Sequence, residues 1–537
     1  MTQAKLPCGF RTCLLLLMNL CFYSSSVAQP KIFIPQPQEV RWRTGPMFEL
    51  KKAQLIGTDQ FPIAARFLQE SLRDRGLQQL SKATVASPKQ PAIEFVLADL
   101  MLQEGYELEV SAYQIRIVSS SPEGAFYAVV SLLQLCDAFP TLLLPQVSLI
   151  DEPTYRWRGM HLDCSRHFFT VAEVKHYIDY LAMYKMNSFH WHLTDDQGWR
   201  AEIKAYPLLT EVGGWRKETL IGRPSSDMKF DGKKYGGFYT QEEMKEVVAY
   251  AAARHITVVP EIEMPGHALA ALAAYPQYSC TGGPFETGRW WGVFDDVFCA
   301  GNDSTFVFLQ TILDEIIAIF PSTYIHVGGD ECPKTRWKSC AKCQHRMKEK
   351  GLKDEHELQS YFITRMENFL HSRKRKLIGW DEILEGGLAP YATVMSWRGT
   401  DGGIAAAKSG HYAVMSPGRP CYFDHYQSED RGAEPLAIGG FNSVEAVYAY
   451  QPTPAVLNET EAEYILGAQG NVWTEYMPTF KQVSYMALPR MLALSEVLWT
   501  NPEHKNYPDF LWRLKLHSQW FDQKGIPHGK HALKSLK

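Results

Sequence analysis

Tyr324-Ile-His-Val-Gly-Gly-Asp330-Glu331 is the stretch from which the fold can be read. Tyr324 to Val327 is a short β-like run, the pair Gly328 and Gly329 can break the pleat, and two carboxylates follow at once. Neighbouring strand residues point to opposite faces, so both acids reach one pocket only if the backbone turns irregular there. Two carboxylates at a strand's end suit general acid/base work, because one can stay ionised while the pKa of the other is raised. The alternative is a solvated strand-to-helix turn with a capping acid.

The same pattern recurs on either side. Short apolar runs fall at Gly159–Asp163, Ser188–Leu193, Thr257–Glu261, Lys376–Trp380, Thr393–Trp397, Tyr412–Ser416 and Ile465–Asn471. Helical periodicity separates several of them, at Val171–Lys185, Gln241–His255, Ser304–Phe320 and Glu355–Arg373. Strand and helix in alternation predict a parallel sheet, and eight units predict closure into a (β/α)8 barrel of the α/β class. Such barrels keep their chemistry at the C-terminal ends of the strands. Those ends carry Asp163 and Arg166, His192 and Asp195, Glu263 and His267, Asp330 and Glu331, Trp380, Trp397, Tyr422 and Asp424, and Trp473 and Glu475.

A chain of 537 residues exceeds one core. Residues 29–150 mix strand-like runs with two amphipathic helices and predict a small α+β domain without concentrated catalytic residue types. The barrel is assigned 151–500, and a helical segment packing on it 501–537. Hydrophobic residues make up 45% and the net charge is −4, an ordinary globular balance that argues against nucleic acid as a partner. Lys5 and Arg11, the apolar run Cys13–Phe22 and the small residues Ser26-Val27-Ala28 read as a signal peptide over 1–28, so export to the periplasm or medium is expected. No later stretch approaches the length of a membrane span.

Eight of the eleven cysteines lie beyond that leader. Cys280 and Cys299 flank a Gly- and Trp-rich loop and are expected to pair as a disulfide. Cys332, Cys340 and Cys343 include a CxxC pair, but three thiols without an obvious fourth ligand make a weak metal signal, and a disulfide or free thiols is the favoured reading. His190-Trp191-His192 places two imidazoles on one strand face and keeps a metal-dependent hydrolase in view, although a hydrogen-bonded core position is favoured for His190. Trp380, Trp397 and Trp473, with Tyr422, supply flat apolar walls beside carboxylates and an arginine, an environment suited to a sugar ring.

Seven segments then carry a specific resemblance. His161-Leu-Asp-Cys-Ser-Arg166-His-Phe, Phe189-His-Trp-His-Leu-Thr-Asp195-Asp, Pro260-Glu-Ile-Glu-Met-Pro-Gly-His267, His326-Val-Gly-Gly-Asp330-Glu331, Gly379-Trp-Asp-Glu, Ser396-Trp and Asn471-Val-Trp-Thr-Glu475 resemble, in order, the family 20 glycoside hydrolases, the β-N-acetylhexosaminidases. The chain departs from that pattern at Glu263, where many members have aspartate. The resemblance implies removal of terminal β-linked N-acetylglucosamine or N-acetylgalactosamine, with the substrate's own acetamido oxygen as nucleophile and no metal or organic cofactor. It implies that Glu331 is the acid and base, that Asp330 and Tyr422 hold the acetamido group, and that Asp195 and His267 form a relay to Glu331. Arg166, Asp424 and Glu475 would hold ring hydroxyls, and Trp380, Trp397 and Trp473 would wall the pocket. A barrel that binds sugar without cleaving it is the alternative from another class.

Overall fold

Eight parallel strands close into the expected barrel: β1 (Trp157–Asp163), β2 (Ser188–His192), β3 (Thr257–Glu261), β4 (Tyr324–His326), β5 (Lys376–Trp380), β6 (Thr393–Ser396), β7 (Ala413–Met415) and β8 (Ile465–Gly470). The computed structural model describes residues 30–536 apart from 86, 88–89 and 101–103; the leader expected over 1–28 lies outside the described residues. Every barrel neighbour pairs in parallel, and β8 returns to β1 through Trp157↔Gly467 to Met160↔Gly470.

The four expected helices form as Val171–Met183, Gln241–Ala252, Asp303–Ile319 and Glu355–Ser372. Local chemistry sets where they start. Thr170 with Glu173, and Thr240 with Glu243, make reciprocal capping boxes, while Asn302 and Asp354 accept first-turn N–H groups. Between β5 and β6 the chain makes only the 3-10 turn Asp381–Leu384, whose acids turn inward instead of starting a full helix. Among the described residues no helix is long and apolar enough to cross a membrane.

Register fixes what fills the barrel. His192, Glu261 and His326 are successive Cα partners on β2, β3 and β4, so their inward side chains share a layer. The barrel also encloses an apolar cluster that includes Trp157, Val259, Ile378 and Val414.

Ahead of the barrel, a seven-stranded sheet runs in the order Glu39–Trp42, Val147–Asp151, Tyr106–Val110, Gln114–Ser119, Ala92–Leu97, Gln54–Ile56, Ser81–Lys82. The helix Pro122–Ala138 is buried along nearly its whole circumference because it meets the sheet on one side and Trp499 of the barrel, through Tyr127, on another. The C-terminal helix Tyr507–Lys524 anchors through the buried pair Arg513 and Glu496, and Arg513 Nη1 also donates to Phe33 O at 2.8 Å.

One buried ionic contact joins the sheet to the barrel. Lys185 Nζ donates to Asp151 Oδ2 at 2.7 Å and to Tyr106 OH at 2.8 Å, and stands 4.4 Å from the Trp499 ring centroid, while Trp499 Nε1 donates to Asp151 Oδ1 at 2.7 Å. Both charged side chains are inaccessible to water, so losing one strands the other. Lys185→Met is therefore expected to cost about 3–5 kcal/mol in chemical denaturation, and Lys185→Met with Asp151→Leu to recover part of that loss. Equal stability of the single variant and wild type would contradict the assignment.

Candidate active site

The turn after β4 works as its sequence suggested. Gly328 and Gly329 have φ of +67° and +95°, and Glu331 itself sits at +43°. Space as well as torsion demands glycine, since a Cβ on Gly328 would lie 1.7 Å from Glu263 Oε2. The turn sends Asp330 and Glu331 to one pocket. Asp330 is mostly enclosed, whereas the Glu331 side chain keeps 44% exposure.

His267, with φ +46° at the end of the segment after β3, lies between these acids and a second acidic pair. Its Nδ1 hydrogen-bonds Asp196 Oδ2 at 3.0 Å and lies 3.3 Å from Asp195 Oδ1; its Nε2 is 3.6 Å from both Asp330 Oδ2 and Glu331 Oε2. The expected relay thus has a member that sequence reasoning missed, Asp196. Burial opposes charge on His267, but Asp195 and Asp330 raise its pKa well above the ordinary imidazole value. Burial also pushes Asp330 up to about 6, helped by the nearby Glu261 and Glu331 charges against the pull of His267. Glu331 moves the other way, held low by its contact with His267.

Arg166 follows a turn in which Asp163 Oδ1 accepts the backbone N–H groups of Ser165 and Arg166 at 2.8 and 3.0 Å. That turn aims its guanidinium at Asp195 Oδ2 (2.8 Å) and Gln197 Oε1 (3.0 Å), with Glu475 Oε1 at 3.8 Å. The guanidinium also stands 5.0 Å from the Trp473 ring centroid.

Of the eleven residues to which the resemblance gives a role, ten line one cavity of about 690 Å³ at the C-terminal mouth; Asp195 lies behind its wall. Trp380 and Trp473 close its inner end, with ring centroids 5.8 Å apart, and Trp397 stacks on Tyr422 at 6.1 Å. Two further acids fix the indoles. Trp380 Nε1 donates to Glu261 Oε1 at 2.8 Å and Trp397 Nε1 to Glu382 Oε2 at 2.9 Å. Neither acid was singled out from sequence, although a glutamate at an inward strand position, as Glu261 is, signals a buried partner set.

Three pocket oxygens stand buried with no protein partner among the described residues: Asp330 Oδ1, Asp424 Oδ1 and Glu475 Oε2. Burial, followed by the Glu475 charge, pushes Asp424 well above the carboxylate range, and burial raises Glu475 against the pull of Arg166. Such groups are costly unless a ligand hydroxyl or N–H pairs with them. Glu263, the departure noted in sequence, lies under Gly328 with neither oxygen hydrogen-bonded among the described residues, and burial, followed by Asp330, pushes its pKa well above the carboxylate range.

The two histidines of the HxH run are buried against polar groups of the barrel itself. His190 Nδ1 accepts from Gln469 Nε2 at 2.9 Å, with its Nε2 3.0 Å from Glu261; His192 hydrogen-bonds Glu261 through Nδ1 and Asp195 through Nε2. The core position favoured for His190 holds. The expected disulfide does not: Cys280 and Cys299 are free thiols, and the loop between them brings both against Cys340 and Cys343.

A barrel whose mouth joins paired acids to indole walls is the architecture of a glycoside hydrolase. Residues 155–502 match the model of the glycosyl hydrolase family 20 catalytic domain, and residues 30–152 match domain 2 of the same family. The chain is 45% identical, over an alignment 539 positions long, to a beta-hexosaminidase of Porphyromonas gingivalis, spanning 96% of this chain and 68% of that protein. Among solved structures, the family 20 exo beta-N-acetylglucosaminidase of Vibrio harveyi in complex with N-acetylglucosamine matches with a TM-score of 0.81 and 32% identity, over 93% of this chain and 78% of that one. A beta-N-acetylhexosaminidase of Bacteroides fragilis matches with a TM-score of 0.79 and 32% identity, over 93% and 97% of the two chains. The chain belongs to glycosyl hydrolase family 20.

Proposed function

We propose that the chain is an exo-acting, retaining β-N-acetylhexosaminidase in which the substrate's 2-acetamido oxygen is the nucleophile. The observation that carries this reading is the pairing, in one blind-ended pocket, of an accessible Glu331 with a buried Asp330 whose Oδ1 lacks a partner. A blind pocket takes a chain end, and Trp380 and Trp473 at its base stack on the terminal sugar.

In the first step the acetamido oxygen bonds to C1 as the glycosidic C1–O bond breaks, and Glu331 gives its proton to the departing oxygen. Asp330 accepts the acetamido N–H and offsets the positive charge of the oxazolinium ring, while the Tyr422 hydroxyl donates to the acetamido oxygen. In the second step Glu331 takes a proton from water, the water oxygen bonds to C1, and the ring's C1–O bond opens. Two inversions at C1 give retention. Asp424, Glu475 and Arg166 orient the ring hydroxyls, and that alignment governs whether the oxazoline can close.

Glu331 must begin the cycle protonated, yet in the open pocket His267 holds it low. A bound sugar covers the exposed carboxyl, and the loss of water shifts its pKa upward. The N–H donated to Asp330 acts in the opposite sense and favours its ionised form. We place the enzyme outside the cytoplasm, in the periplasm or medium, on the strength of the leader sequence.

Glu331→Gln is expected to lower kcat/KM by about 100-fold or more for substrates with poor leaving groups, with a much smaller loss for activated aryl glycosides, whose departure needs no proton. A uniform loss across leaving groups would contradict the acid role. With an activated aryl substrate the pH profile isolates Asp330, which must be ionised, so kcat/KM is expected to fall as pH drops through about 6. Asp330→Asn should remove that limb along with most of the activity. A limb that persists in the variant would assign it to another group.

A further inference from the structure

Behind the mouth, four thiols meet from three separated pieces of chain. Cys280 lies at the start of the loop after the turn Pro276–Tyr278, Cys299 near its end, and Cys340 and Cys343 cap and open the helix Ala341–Lys350. All four sulfurs lie within 4.8 Å of one another. Cys299 Sγ is 3.8 Å from Cys340 Sγ and 3.7 Å from Cys343 Sγ, and Cys343 Sγ is also 3.7 Å from Cys280 Sγ.

Those separations match a particular object. Zinc–thiolate bonds of about 2.3 Å in a tetrahedron place the sulfurs about 3.8 Å apart. Two disulfides would instead bring each sulfur close to one partner and leave it far from the others; here Cys299 and Cys343 each have two near-equidistant neighbours. The surroundings suit a closed structural site. Cys299 and Cys343 are fully buried and Cys340 nearly so. The CxxC pair sits on a helix N-terminus, whose partial positive charge favours thiolates. A Cβ on Gly301 would lie 2.1 Å from the Lys342 carbonyl carbon and 2.4 Å from Cys343 N, so a glycine is required where the loop passes the pair.

We propose that Cys280, Cys299, Cys340 and Cys343 form a tetrahedral tetrathiolate site for one zinc ion, outside the lining of the sugar pocket and independent of the glycosidase reading. Binding releases the thiol protons to solvent and needs no oxidant. The ion braces the mouth. It ties the helix shortly after Glu331 to a loop whose Trp290 O accepts from Gln197 Nε2 at 2.9 Å and whose Gly288 N donates to Asp196 O at 2.8 Å. Through those two bonds the loop supports the residues that position Arg166 and His267.

The test is elemental analysis of the full-length protein purified without chelator or reductant, followed by exchange of the bound ion for Co²⁺. About one zinc per chain is expected, with the thiolate-to-cobalt charge-transfer band and visible d–d bands of a tetrahedral site after exchange. Cys340→Ser with Cys343→Ser should abolish uptake, whereas Cys332→Ser should retain it. The cobalt spectrum of the wild type decides the matter even if the double variant fails to fold. Disulfides within the quartet in non-reducing peptide maps, free thiols that take up no stoichiometric zinc, or zinc retained by a folded double variant would each overturn the proposal.

Discussion

One buried carboxylate, Glu261, holds the barrel mouth together. It has no exposure, and burial alone would keep it neutral, yet four rings from strands β2, β4 and β5 surround its oxygens. His192 Nδ1 and Trp380 Nε1 are hydrogen-bonded to it, and His190 Nε2 and His326 Nδ1 lie 3.0 and 2.8 Å away. The histidines pull its pKa well below the usual carboxylate range, and in return Glu261 and Asp195 lift His192 against burial to about 10. Charge then alternates outward, from Glu261 through His192 to Asp195, and from Asp195 to Arg166 and His267. The last of these reaches Asp330 and Glu331. Each member is tolerable inside the protein only because the next is present.

That arrangement explains why adjacent acids can differ. Asp330 and Glu331 share His267 at equal distance, but one is enclosed and rises to about 6 while the other faces the opening and stays low. Their environments, more than their side chains, separate the roles proposed for them. In the proposed mechanism a substrate changes both environments at once, because the covering ring would dry Glu331 and its acetamido group would supply a partner for Asp330 Oδ1, which has none among the described residues.

Much of this was legible in the chain. Period and punctuation placed the eight strands, since each run ends where polar or aromatic residues begin, and Gly328-Gly329 announced the break that turns both acids inward. The supporting partners were not legible, because register and loop paths decide them. Asp196 is indistinguishable from Asp195 until His267 is seen to lie against both. Glu382 follows Asp381 in a turn that could as well have started an exposed helix, and only the Trp397 indole reveals its direction. The thiols show the same limit. Cys280 and Cys299 flank one loop and suggested a closed pair, but the path of that loop carries both to the CxxC of Cys340 and Cys343, so two sulfurs reach that pair from elsewhere in the chain, while Cys332, grouped with it in the sequence, stands outside the quartet.

The central claim is that the protein positions a nucleophile carried by the sugar. It is tested most directly with aryl β-glycosides that are identical except for successive fluorination of the 2-acetamido methyl group, which leaves the shape nearly unchanged while draining electron density from the acetamido oxygen. The expected result is a progressive, steep fall in kcat/KM along the series, with the product released first as the β-anomer. Rates that stay flat across the series, or a glycosyl ester trapped on a carboxylate of the protein, would contradict the account.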